Sequence, residues 1–118
     1  MKHLLLKFNY GVEIGAMLAY MGHYEATHDA KILGIANDEY EHQEIIKFIL
    51  KGYGTKPFFL FNWFFYAVGN LIRLACRVSP RFLMNFIARS MEIFAVFNYR
   101  RLAKMYPEHR HILEDMAA

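Results

Sequence analysis

The chain has one cysteine, Cys76, which excludes a disulfide framework and a thiolate metal site and makes a reducing, cytosol-facing compartment the expected setting. It has three prolines, and each falls where a helix is expected to start or stop. Charged residues make up only 21% of the sequence. A net charge of +3 and a pI near 9.0 do not amount to a nucleic-acid surface, because the basic residues form no stripe and the aromatics crowd a region almost free of Lys and Arg. No apolar run reaches the ~20 residues of a membrane-spanning helix. At the N-terminus, Met1 to Leu6 is too briefly apolar before Lys7 to read as a secretory signal.

What the chain does have is apolar surface: 56% hydrophobic and 17% aromatic residues, above an ordinary soluble mixture. Part of that surface is expected to face a membrane or a partner. At 118 residues the chain makes a single domain, long enough for a real core and short for a complete four-helix bundle with insertions.

Periodicity divides the domain into three parts. Residues 4–51 read as a helical hairpin. Its first helix, from about Leu4 to Tyr24, carries apolar residues such as Leu5, Phe8, Val12, Leu18 and Met21 at helical spacing, with glycines that a helix tolerates. Thr27 and Asp29 supply capping chemistry for a second helix through about Leu50, and the run Gly52 to Pro57 ends it. Residues 57–78 form an aromatic segment, Phe58 to Ile72, followed by Arg73, Arg77 and Arg81. An apolar stretch with a basic edge suits the plane of a bilayer interface, and it equally suits a buried core helix or a contact between two chains. Residues 80–118 read as a second, incomplete hairpin: Ser79 as cap and Pro80 as first helical residue open a helix to about Met105, and Pro107 starts a short fourth one.

The chemistry centres on Glu39 and His42. Their i, i+3 spacing puts a carboxylate and an imidazole on one helical face. In a four-helix bundle, a di-iron or di-manganese site takes such a pair from each of two helices and a lone glutamate from each of the other two. Glu13 and Glu92 each stand alone within apolar helical runs and fit the lone-glutamate role. About twelve residues, or roughly 18 Å of helix, separate Glu13 from the expected turn near Tyr24, and a similar length returns to Glu39, so the two glutamates come level across the hairpin. The same count from Glu92 places its matching ligand near positions 119 to 122. The Glu108-x-x-His111 pattern lies instead at the turn, roughly 20 Å from the level of Glu92, and is read as solvent-facing, as is Glu114.

A buried, uncompensated glutamate costs several kcal/mol. Taken singly, Glu13 or Glu92 is explained by an ion pair with Arg89 or Arg100. Taken jointly with Glu39 and His42, metal ligation is the better explanation. A carboxylate-rich donor set with one imidazole and no thiolate favours iron, with manganese as the alternative. Glu41, Glu44, His23 and His28 are read as surface residues, and Tyr20 and Tyr99 as packing residues ahead of hydrogen-bond partners.

At these residues the chain resembles the ferritin-like di-iron carboxylate superfamily, and within it the demethoxyubiquinone hydroxylase family. The resemblance lies in Gly11-Val12-Glu13-Ile14-Gly15-Ala16 with Tyr20 and Gly22, in Glu39-Tyr40-Glu41-His42 followed by Lys56-Pro57 and Trp63, and in Glu92 seven residues before Tyr99 with Asn98 preceding it. It implies an all-α, ferritin-like antiparallel four-helix bundle with a truncated fourth helix and an extra amphipathic aromatic helix between the second and third. It also implies a di-iron centre on Glu13, Glu39, His42 and Glu92 that activates dioxygen, in a monooxygenase acting on a quinone or similar lipophilic aromatic at the inner face of a membrane. The family's second Glu-x-x-His has no matching residues here.

Two other functions are kept as expectations. One is a ferroxidase or peroxidase of the ferritin and rubrerythrin kind, against which the greasy segment argues. The other is a non-catalytic homodimer that buries Phe58 to Ile72. A variant has Glu13, Glu39 and His42 of two chains build one shared site.

Overall fold

A computed structural model describes residues 3–79 and 81–117. Among them the chain is all helical: α1 (Leu4–Thr27), α2 (Ala30–Gly52), α3 (Phe59–Ala75), α4 (Arg81–Met105), a single 3-10 turn at Pro107–His109, and α5 (Arg110–Ala117).

Two residues make the first turn. His28 takes a left-handed conformation (φ 55°) that closes α1, its N–H donating to the Tyr24 carbonyl. Asp29 then caps α2, its Oδ1 accepting from the Lys31 N–H at 2.9 Å. The turn falls about three residues later than the sequence suggests, which changes what lies level with Glu13. Fourteen residues run from Glu13 to Thr27 and thirteen from Asp29 to His42. Glu13 therefore faces His42 and Gln43, with Glu39 one turn away.

α1 is the central element, flanked by α2 and α3. Its contact with α3 is unusually close because both helices present glycine. A Cβ on Gly69 would lie 2.9 Å from the Gly15 carbonyl oxygen, and one on Gly22 would lie 2.5 Å from the Arg73 Cα. The glycines of α1 are thus contact positions, not merely tolerated ones. Beyond the glycines, Arg73 Nε donates to Glu25 Oε1 at 2.5 Å and ties the ends of the two helices. The inner face of the aromatic segment therefore packs half-buried against α1, with Phe8 edge-on to Phe61 and Phe65. Its outer half stays exposed, including Leu60, Trp63, Phe64, Leu71 and Leu74.

The main core joins α2, α4 and α5 through Ile46, Ile49, Leu50, Tyr99, Leu102 and Leu113, with Leu6 of α1. A smaller cluster of Ala16, Tyr20 and Ala36 lies along the hairpin toward its turn. The Ser79 hydroxyl does not cap α4; it donates to the Ala75 carbonyl at 2.6 Å, extending the end of α3. Pro80, expected at the first helical position, lies outside the described residues. Among the described residues no helix is long and apolar enough to cross a membrane.

Candidate metal centre

Glu13 projects from the middle of α1 into the space between the two core clusters and is only 2% exposed. One carboxylate oxygen is satisfied: Oε1 accepts a short hydrogen bond from the hydroxyl of Tyr99, itself fully buried on α4. The other, Oε2, has no hydrogen-bond partner, and neither has His42 Nδ1, 3.5 Å away; both atoms are screened from water. Glu39 Oε2 lies 3.9 Å from the same His42 nitrogen. One donor atom from each of Glu13, Glu39 and His42 falls within 4.8 Å of the other two.

Unpaired buried polar atoms are rare because each costs the free energy of its lost hydration. Two of them facing each other at a carboxylate and an imidazole suit a shared cation. A metal held about 2.1 Å from each donor keeps neighbouring donors about 3 to 4 Å apart, which is the spacing His42 makes with both glutamates. The i, i+3 pair on α2 and the glutamate on α1 therefore come together as a group able to hold a metal ion.

The supports follow from the helices. Burial, and then the adjacent Glu13 carboxylate, push the Tyr99 phenol well above its ordinary range, so it stays protonated and donates. Tyr99 is thus a hydrogen-bond partner of a ligand, not only a packing residue. The Tyr20 phenol is pushed up to about 12, by burial first and then by Glu92 and Glu13; its hydroxyl donates to the Ala88 carbonyl. Gln43, buried next to His42, donates from Nε2 to the Glu13 backbone carbonyl at 3.4 Å. Its signal in the sequence is a glutamine on the inward face of α2, and the misplaced turn hides it.

Glu92 lies apart from this group. It is exposed on a wall of the same cleft and is not among the donors that lie within 4.8 Å of one another. That cleft has a volume of about 610 Å³. Phe65, Val68 and Ile72 of α3 and Phe94 of α4 form its apolar wall, while Asp38, Glu39, Glu92 and Asp115 supply carboxylates. No lysine or arginine lines it among the described residues, so its field attracts cations. Asp38 and Asp115 are cleft carboxylates that sequence reasoning missed, Asp115 lying near the end of α5. A count of residues to the level of Glu92 points past it, whereas the cleft extends further along α5. Glu108, His111 and Glu114 are exposed and lie outside the cleft lining.

Comparison of the chain with models of protein families, with curated proteins and with solved structures gives no match in any of the three. What the fold and the site define is a helical protein whose first hairpin carries a Glu, Glu, His group able to hold a metal ion.

Proposed function

We propose that the chain is an iron-dependent oxidoreductase of the ferritin-like kind, binding its metal through Glu13, Glu39 and His42 and admitting a lipophilic aromatic substrate, a quinone in the reading by resemblance, through the cleft beside α3. The observation that carries this is the facing pair of unpartnered, water-screened atoms, Glu13 Oε2 and His42 Nδ1. Two carboxylates and one imidazole suit iron, with manganese as the alternative, and leave coordination positions open for dioxygen. Bound iron supplies the one-electron redox chemistry that dioxygen reduction requires.

The protein's own groups have distinct parts. Tyr99 fixes the Glu13 carboxylate so that Oε2 is the atom presented to the ion. Gln43 holds the α1 backbone at the same level. Phe65, Val68 and Ile72 exclude water from one side of the cleft and offer an apolar bed for a ring. That bed favours an aromatic hydroxylase over a ferroxidase, for which apolar walls serve no purpose. A place at a membrane face, with the outer side of α3 against lipid, belongs to the same proposal.

Metal content tests it. After anaerobic loading with Fe(II) and desalting, one iron per chain is expected, abolished in Glu13→Gln and His42→Ala. Two irons per chain would bring Glu92 and Asp115 in as ligands of a binuclear centre. No retained iron in the unmodified chain would end the metal reading. With iron bound, oxygen uptake that depends on a lipophilic quinol or phenol separates hydroxylation from simple ferrous oxidation.

A further inference from the structure

The outward face of α4 is as apolar as its inward one. Phe82, Phe86, Ile93 and Phe97 are exposed to 75, 68, 66 and 65%. Successive spacings of four, seven and four residues keep them on one stripe, roughly 22 Å long at 1.5 Å per residue. The stripe points away from Tyr99, Leu102 and Met84, which are buried on the opposite side of the helix. A helix apolar on both sides is expected to be covered on both.

We infer that this face is the docking surface for a second copy of the chain, the two α4 helices packing antiparallel about a two-fold axis between positions 89 and 90. The spacing reads the same in both directions, so Phe82 of one copy meets Phe97 of the other and Phe86 meets Ile93, the self-complementarity that a two-fold contact demands. Ser90, small and exposed, stands where the helices approach most closely.

One charge pair also fits this partner, on a face whose other exposed charges, Arg81, Arg100 and Arg101, are basic. Arg89 and Glu92 are both exposed, lie on the same flank of the stripe, and form no ion pair with each other or with another described residue. In the antiparallel pair, the two Arg89 side chains meet near the axis and Glu92 of each copy comes beside Arg89 of the other, offsetting that like-charge contact twice per dimer. The exposed stripe on α3 has no such complement: Arg73 and Arg77 edge it, no acidic residue lies on that helix, and both arginines already engage Glu25. The area is adequate as well. The α4 stripe with Leu83 offers roughly 600 Å² of apolar side chain per copy, taking about 200 Å² for each fully exposed aromatic ring. With its polar rim it reaches the ~800 Å² per partner of a standard interface. Glu92 then has a role outside the metal group, consistent with its place apart from Glu13, Glu39 and His42, and the inference does not depend on the metal reading.

Sedimentation equilibrium of the metal-free chain is expected to give twice the 14.0 kDa chain mass. Ile93→Glu should halve it while helicity by circular dichroism is unchanged. Arg89→Glu should weaken the dimer at least tenfold, and adding Glu92→Arg to it should restore association. Because Ser90 lies beside the axis, Ser90→Cys should form a disulfide-linked dimer under mild oxidation even if the charged variants fail to fold. Leu71→Cys on the outer face of α3 should not. Cross-linking at 71 but not at 90 would overturn the inference, as would a monomer at every concentration or a chain that pairs only when anionic vesicles are present.

Discussion

At Glu13 the feature that costs stability is also the one that suits a metal ion. A buried carboxylate with one unpartnered oxygen costs the metal-free fold stability, and a cation held beside it offsets that cost. Glu13→Gln removes the charge and keeps an oxygen for Tyr99, so the metal-free protein should gain about 1 kcal/mol while metal binding is lost. Urea unfolding with and without Fe(II) measures both; a destabilised Glu13→Gln variant would mean that the carboxylate serves structure alone. Tyr20 gives a second expectation. Its phenol is pushed up to about 12 in the fold, against an ordinary value near 10. The unfolded chain therefore loses that proton first, and stability, complete below pH 10, should fall between about pH 10 and 12. Tyrosinate absorbance should show Tyr20 and Tyr99 ionising after the exposed tyrosines, and Tyr20→Phe should remove part of the alkaline loss. Spacing and resemblance marked Glu13, Glu39, His42 and Glu92 as one set, of which the first three converge. They did not show that Glu92 stands apart, because helical periodicity places a residue on a face without saying which neighbour covers that face.

Among the elements, the helices were legible nearly to the residue wherever a cap or breaker is local. Asp29 before α2, Gly52 to Pro57 after it, and Pro107 after α4 mark their own positions. The role of α3 was not legible, since an amphipathic aromatic helix reads alike whether lipid or another helix covers it. The clue lay in α1, where Gly11, Gly15 and Gly22 recur on one face at spacings of four and seven; read as tolerance, they conceal the close approach of α3. Gly22→Ala sets a Cβ 2.5 Å from the Arg73 Cα, where backbone must move, so a loss of about 2 kcal/mol or more is expected. Gly34 on α2 meets nothing within 4 Å. There Gly34→Ala should gain about 0.5 to 1 kcal/mol from helix propensity. Chemical denaturation of the two variants is a direct comparison; equal effects would mean that the α1 and α3 backbones are not in contact.

For the molecule as a whole, all three donors come from one hairpin, and Tyr99 of the second hairpin reaches them, its hydroxyl bonded to Glu13 and its ring edge-on to His42. A bound ion therefore cross-links α1 to α2 near the middle of each helix and reaches α4 at one remove, while α5 gains nothing directly. Mn(II) at about a hundred times its dissociation constant should stabilise the fold by about 2.7 kcal/mol, a rise in Tm of roughly 10 °C for a domain of this size. The gain should be uneven. Hydrogen exchange should slow most in α1 and α2 around Glu13, Glu39 and His42, less in α4 around Tyr99, and least in α5. Tyr99→Phe should cut the α4 share while leaving that of the hairpin, because it removes the hydrogen bond by which α4 holds the Glu13 carboxylate. Uniform protection of every helix would point to a general ionic effect on the acidic cleft, and a Tm rise of the same size in His42→Ala would place the ion elsewhere in it.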